Sequence, residues 1–170
     1  MKVDYAFVSE SADSQAGLFY VVRGGADMHF LPRSFPRPLR LGAISFVVRL
    51  LGEPHEIGQT YPLTYTIVNS DGQTVNFRQD VEARFDPHPV DPTRTTATVA
   101  AFRFYGFPVP DFGTYLFEVL HGEERLAQVP FWVLPVDDQD GQDGPPGPPE
   151  FPEGPSEPRP DGGQASEGPR

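Results

Sequence analysis

Apolar residues over the first 134 positions recur with a period of two, in short runs separated by Gly, Pro and Asp. Side chains alternate across a strand, so each run buries one face of a sheet, and no window carries a comparable helical stripe. Val3, Tyr5 and Phe7 open the series. Leu18 to Arg23 and Asp27 to Leu31 flank Gly24-Gly25, which reads as a tight hairpin because glycine supplies the positive φ such turns need. A Pro-rich crossover, Pro32 to Pro38, follows. Ile44, Phe46, Val48 and Leu50 face one side against Ser45 and Arg49, and Tyr61, Leu63, Tyr65 and Ile67 repeat the pattern against Thr64 and Thr66. Asn69-Ser70-Asp71-Gly72 is a turn whose Asp-Gly pair suits a type I′ hairpin. Val75 and Phe77 begin the return strand, Val81, Ala83 and Phe85 form a separate short segment, and Asp86 to Pro92 is a loop. Thr95 to Tyr105 is a long strand, and Leu126 to Leu134 closes the set. The fold expected is all-β, an immunoglobulin-like antiparallel β-sandwich over residues 1–134.

The stretch Asp111 to Val119 sharpens that expectation. Asp111, Gly113 and Tyr115 have the spacing of a tyrosine corner, in which a Tyr entering the penultimate strand turns its hydroxyl back onto the preceding turn. Two residues later, where an antibody domain has cysteine, stands Phe117. The chain has no cysteine at all, so disulfides, thiolate metal sites and thiol nucleophiles are excluded, and the cytoplasm is the expected location. Asp4, Ser9, Glu10 and Asp13 interrupt any secretory apolar core near Met1, and the longest apolar stretch, Ala43 to Leu51, is too short to span a bilayer.

Chemistry-bearing clusters are sparse. Asp86, His88 and Asp91 offer oxygen and imidazole donors in one loop, with Asp71 and Asp111 as further candidates, but solvated turn chemistry accounts for them, and no metal or cofactor is expected. Glu123-Glu124 occupies a hairpin tip, and His55-Glu56 lacks the second His of a zinc protease helix. Phosphate loops, nucleophile elbows and dinucleotide fingerprints are absent from the sequence, so no catalytic residue is assigned. Arg23, Arg33, Arg37 and Arg40, interleaved with Phe30 and Phe35, make a small basic and aromatic patch able to hold a phosphate or an acidic partner. The blander reading is a solvated crossover. Nucleic acid is disfavoured by the net charge of −11.

Several of these segments together resemble a bacterial family known only as a domain of unknown function. They are Met1 to Val8, Ser11-Ala12, Gly17-Leu18, Gly24 and Asp27, Phe46 to Arg49 with Glu53 or Glu56 and Gly58, Asp71-Gly72, Gly113 to Tyr115, and Pro130 to Val133. The resemblance implies a sandwich and brings no catalytic residue. Where a small residue or cysteine is expected at position nine, this chain has Ser9, which removes a thiol role. The function expected is a non-catalytic interaction or accessory module with a protein partner, presenting loops or an edge strand. A small-ligand or carbohydrate-binding sandwich is the alternative, followed by a hydrolase whose site one sequence does not reveal.

Residues 135–170 differ in kind. They hold ten Pro, seven Gly and nine acidic residues against two Arg, and account for −7 of the net charge of −11, leaving −4 on the body. Only three are apolar, too few to offset an ordering cost of roughly 1 to 2 kcal/mol per residue, so a disordered acidic tail is expected. Deleting Asp137 to Arg170 should therefore leave the melting temperature nearly unchanged in a thermal denaturation scan, and a large drop would mean that the segment packs on the body.

Overall fold

The computed structural model describes residues 1–15 and 18–137; the tail read from the sequence at 135–170 falls almost wholly outside them. Nine strands follow in chain order: β1 Lys2–Gln15, β2 Leu18–Gly24, β3 Met28–Pro32, β4 Leu39–Gly52, β5 Thr60–Asn69, β6 Thr74–Arg84, β7 Thr96–Val109, β8 Gly113–His121 and β9 Glu124–Val136. A single 3-10 turn, Pro54–Glu56, links β4 to β5. Two sheets result, one ordered β2-β1-β4-β7 and the other β3-β9-β8-β5-β6. The expected all-β sandwich is therefore present, although β3 runs parallel to β9 rather than antiparallel.

Between the sheets lie the residues whose alternation marked them. Ile44, Phe46, Val48 and Leu50 of β4 and Leu63, Tyr65 and Ile67 of β5 are all at most 2% exposed. The alternation slips by one residue in two paired strands, where Leu39 and Leu41 precede Gly42 in β4 and Phe107 and Val109 follow Gly106 in β7. Gly106 has φ +63, a conformation costly for residues with a Cβ, so the bend falls there and Leu39, Leu41, Phe107 and Val109 stay buried. At the opposite end the Phe85 ring fills the space that a side chain at Gly52 would need.

Four local expectations need correction. Gly24-Gly25 does not join a hairpin: β2 pairs with β1, while β3 crosses to the other sheet and pairs with β9. Asp-Gly does not form a type I′ turn, because only Gly72 has positive φ; the Asn69 carboxamide oxygen instead accepts the Asp71 and Gln73 N–H groups at 3.0 and 2.9 Å. Residues 75–77 and 81–83 belong to one strand, β6, whose pattern is disturbed by Asn76 at φ +49. Finally, β9 continues past residue 134, with Pro135 and Val136 paired to Leu31 and Pro32.

A third layer was not visible in the sequence. Phe19 of β2 lies opposite Ser14, nine residues from Tyr5, which in a straight strand would be roughly 30 Å away at about 3.3 Å per residue. Yet the Tyr5 and Phe19 rings are 6.2 Å apart, so β1 bends and carries the β1–β2 hairpin back over its own sheet. The hairpin is fastened there by the Ala12 N–H on the Ser45 hydroxyl at 3.1 Å and by Arg103 donating twice to the Ala12 carbonyl, at 3.2 and 3.0 Å. This explains why Ser45 and Val47, on the outward face of β4, are fully buried.

The Tyr115 hydroxyl donates to the Asp111 carbonyl at 2.6 Å, so the corner spacing does place the expected bond. Burial first, and the Asp111 carboxylate as a smaller cause, hold the phenol above its ordinary value against the lowering effect of the Asp111 N–H, which donates to the phenol oxygen at 3.4 Å, so it stays a donor at neutral pH. Tyr115→Phe should lower stability by about 1 kcal/mol, the net worth of one buried hydrogen bond, in a urea titration; no change would remove the corner's structural role.

Glu56 is buried, with its carboxylate on the Met1 ammonium and on the Glu53 N–H, the latter at 2.8 Å. Burial pushes its carboxyl up, but the bonds to the ammonium and to Glu53, with the charges of Met1 and His55, outweigh burial and leave it below the usual value. A carboxyl with a lowered folded-state value contributes stability above its unfolded value, near 4.5, which is lost as pH falls through the folded value. Glu56→Gln should be less stable at pH 7 by about 1 to 2 kcal/mol, the worth of charge-assisted hydrogen bonds. It should also lose less on acidification below pH 4.5 than the parent, as read by paired urea titrations.

Candidate functional site

The basic patch foreseen in the sequence is brought together only in part. Phe35, Arg37 and Arg40 line a cleft of about 360 Å³ with Pro36 and Pro38, at the end of the sandwich where the crossover enters β4. Their cations are engaged. Arg37 donates to the Asp111 carboxylate at 2.9 and 3.1 Å and to the carbonyls of Phe35 and Arg33, and its guanidinium lies 4.6 Å from the Phe112 ring centroid. Arg33 pairs with Asp137 at 3.0 Å, and Arg40 donates to the Gly106 carbonyl at 3.3 Å. Arg23 does not line the cleft; it sits at the end of β2, paired with Glu10 at 3.1 Å. Asp111 is held below the usual carboxylate range first by the Phe112 N–H and then by Arg37. The crossover is thus tied to the tyrosine corner, since Asp111 receives Arg37 on its side chain and Tyr115 on its backbone.

The candidate metal donors are separated. Asp71 and Asp111 lie by the β5–β6 turn and the start of β8, neighbours through the Asn69↔Tyr115 pairing, whereas Asp86, His88 and Asp91 follow the far end of β6. Asp91 accepts the Thr93 N–H and hydroxyl at 3.0 and 2.6 Å, bonds that lower its carboxyl, and the His88 Nδ1 accepts the Val90 and Asp91 N–H groups. These groups are building the loop. Among the described residues, no three of His, Cys, Asp and Glu are grouped to hold a metal.

The surface that stands out was not selected from the sequence. Leu18, Tyr20 and Val22 share the solvent side of β2, paired across to Gln15, Asp13 and Ser11, and are 63%, 58% and 56% exposed. β2 is also a sheet edge, so one row of its backbone groups faces outward. The other three edges differ. β6 carries Arg78, Asp80, Glu82 and Arg84; β3 is five residues long and ends in Pro32; β7 contains Arg103 and Pro108 and exposes one large apolar side chain, Tyr105. Charge and proline are the usual guards of an edge, and Leu18 to Val22 has neither. The signal was available as five uncharged, strongly β-forming residues in a row, but it reads equally well as a core strand.

Residues 4–134 match the model of the family of unknown function DUF6941. The chain belongs to that family. The match runs from within β1 to within β9, leaving out two residues of each, so the DUF6941 region and the folded body nearly coincide. No curated protein matches the chain. Family membership therefore supplies no residue roles, and the DUF6941 sandwich has to be read from its own surfaces.

Proposed function

We propose that this DUF6941 protein is a non-catalytic interaction module whose β2 edge receives an extended strand from a protein partner. The observation that carries the reading is the exposed stripe of Leu18, Tyr20 and Val22 on an edge whose residues 18–22 carry neither charge nor proline. Strand addition draws affinity from main-chain hydrogen bonds along the free edge and specificity from alternate side chains, and β2 offers both. The immunoglobulin-like reading is supported by strand order. With β1, β4 and β7 as A, B and E, and β5, β6, β8 and β9 as C, C′, F and G, the sheets run A-B-E and G-F-C-C′, with the Tyr115 corner on F. A cytoplasmic setting belongs to the same proposal and is supported by the absence of cysteine from the chain.

Tyr20→Lys places a charge on the edge at a solvent-facing site, where substitutions shift stability by about 0.5 kcal/mol or less. In affinity capture with the body as bait, a partner retained by the parent should be lost with Tyr20→Lys and kept with Arg40→Glu. The partner's binding should also slow amide exchange across Leu18 to Val22. A partner indifferent to Tyr20→Lys, or lost only with Arg40→Glu, would overturn the assignment.

A further inference from the structure

A second feature, independent of the β2 surface, lies where β6 ends and β7 begins. A groove of about 600 Å³ opens there between the loop after β6 and the first residues of β7, within the size range of small-molecule pockets. Its lining holds two opposite charges that are not spent on the protein. The Arg84 guanidinium and the Asp86 carboxylate form no ion pair and no hydrogen bond, with each other or with any other described residue. The remaining pair in the groove, Arg49 and Asp4, is closed on itself at 3.1 Å.

The loop wall of the groove is built to stay in place. Pro87 and Pro89 restrict the loop backbone, and the His88 Nδ1, accepting the Val90 and Asp91 N–H groups at 3.3 and 3.2 Å, leaves the neutral ring's proton on Nε2 as a donor. Charge then selects the class of ligand. A simple anion gains Arg84 but meets Asp86, and a simple cation gains Asp86 but meets Arg84. A molecule carrying both charges satisfies the two together, with a carboxylate matched to the planar fork of the guanidinium.

We propose that this groove binds an amino-acid-sized zwitterion, its carboxylate on Arg84 and its ammonium on Asp86. The test uses the full chain, isotopically labelled, titrated with glycine, L-serine, L-glutamate and L-arginine, with acetate, methylammonium and glycerol as separate arms, while amide resonances are followed. At least one amino acid should shift residues 84–88 and 95–98 saturably, at concentrations at least tenfold below those needed for acetate, methylammonium or glycerol. Arg84→Gln and Asp86→Asn, both at exposed positions, should each weaken that binding tenfold or more with an unchanged melting temperature. The proposal fails if acetate or glycerol binds as well as the best amino acid, if no amino acid gives saturable shifts, or if either charge variant binds like the parent. None of them bears on capture of a partner at β2.

Discussion

The two sheets are joined through a cluster of aromatic rings centred on one stacked pair. Phe46 of β4 and Phe117 of β8 stack across the interface with centroids 4.5 Å apart and planes 15° from parallel. Phe46 extends the contact to Phe131 and Phe104, and Phe117 to Tyr65 and Phe102, so one connected set of rings spans both sheets. Antibody domains join their two facing sheets with a disulfide, which is worth about 2 to 5 kcal/mol. Aromatic pairs contribute about 0.5 to 1.5 kcal/mol each beyond the area they bury, so several together are of the same order and need no oxidising environment. Tyr65 shows how dry this centre is, since burial pushes its phenol up to about 12.

What could be read from the sequence follows the range of the contact that decides it. Alternation located β4, β5 and β8 because each buries one face along most of its length. The tyrosine corner was legible because Tyr115 and Asp111 are only four residues apart. The β2–β3 hairpin failed because a Gly-Gly turn is a local signal, whereas the partners of those strands, β1 and β9, are fixed by the whole sandwich. Gly42 and Gly106 carry no local signal of this kind, and only their placement in paired strands shows one bend shared by both.

The same distinction governs the candidate surfaces. The arginine patch is conspicuous in sequence because its members are close along the chain, yet Arg37 is spent on Asp111, 74 residues away. Conversely, Leu18 to Val22 resembles a core strand, and the bend in β1 decides otherwise. By laying the hairpin over its own sheet, the bend brings Phe19 to Tyr5 and turns Leu18, Tyr20 and Val22 to solvent. No count of apolar residues distinguishes those two faces.

Stability does not account for leaving that stripe open. Burial of apolar area is favourable at roughly 25 cal/mol per Å², so a chain under selection for folding alone gains by covering these side chains or replacing them with polar ones. An uncharged free edge adds the hazard of pairing with other copies. The protein carries a general counterweight in its net charge of −11, concentrated beyond residue 134, which makes copies repel one another without altering β2 itself. In the proposed role, such repulsion would limit indiscriminate association while the uncharged residues 18–22 stay available to a partner of neutral or positive charge. This combination favours a binding role for β2 over an accident of packing.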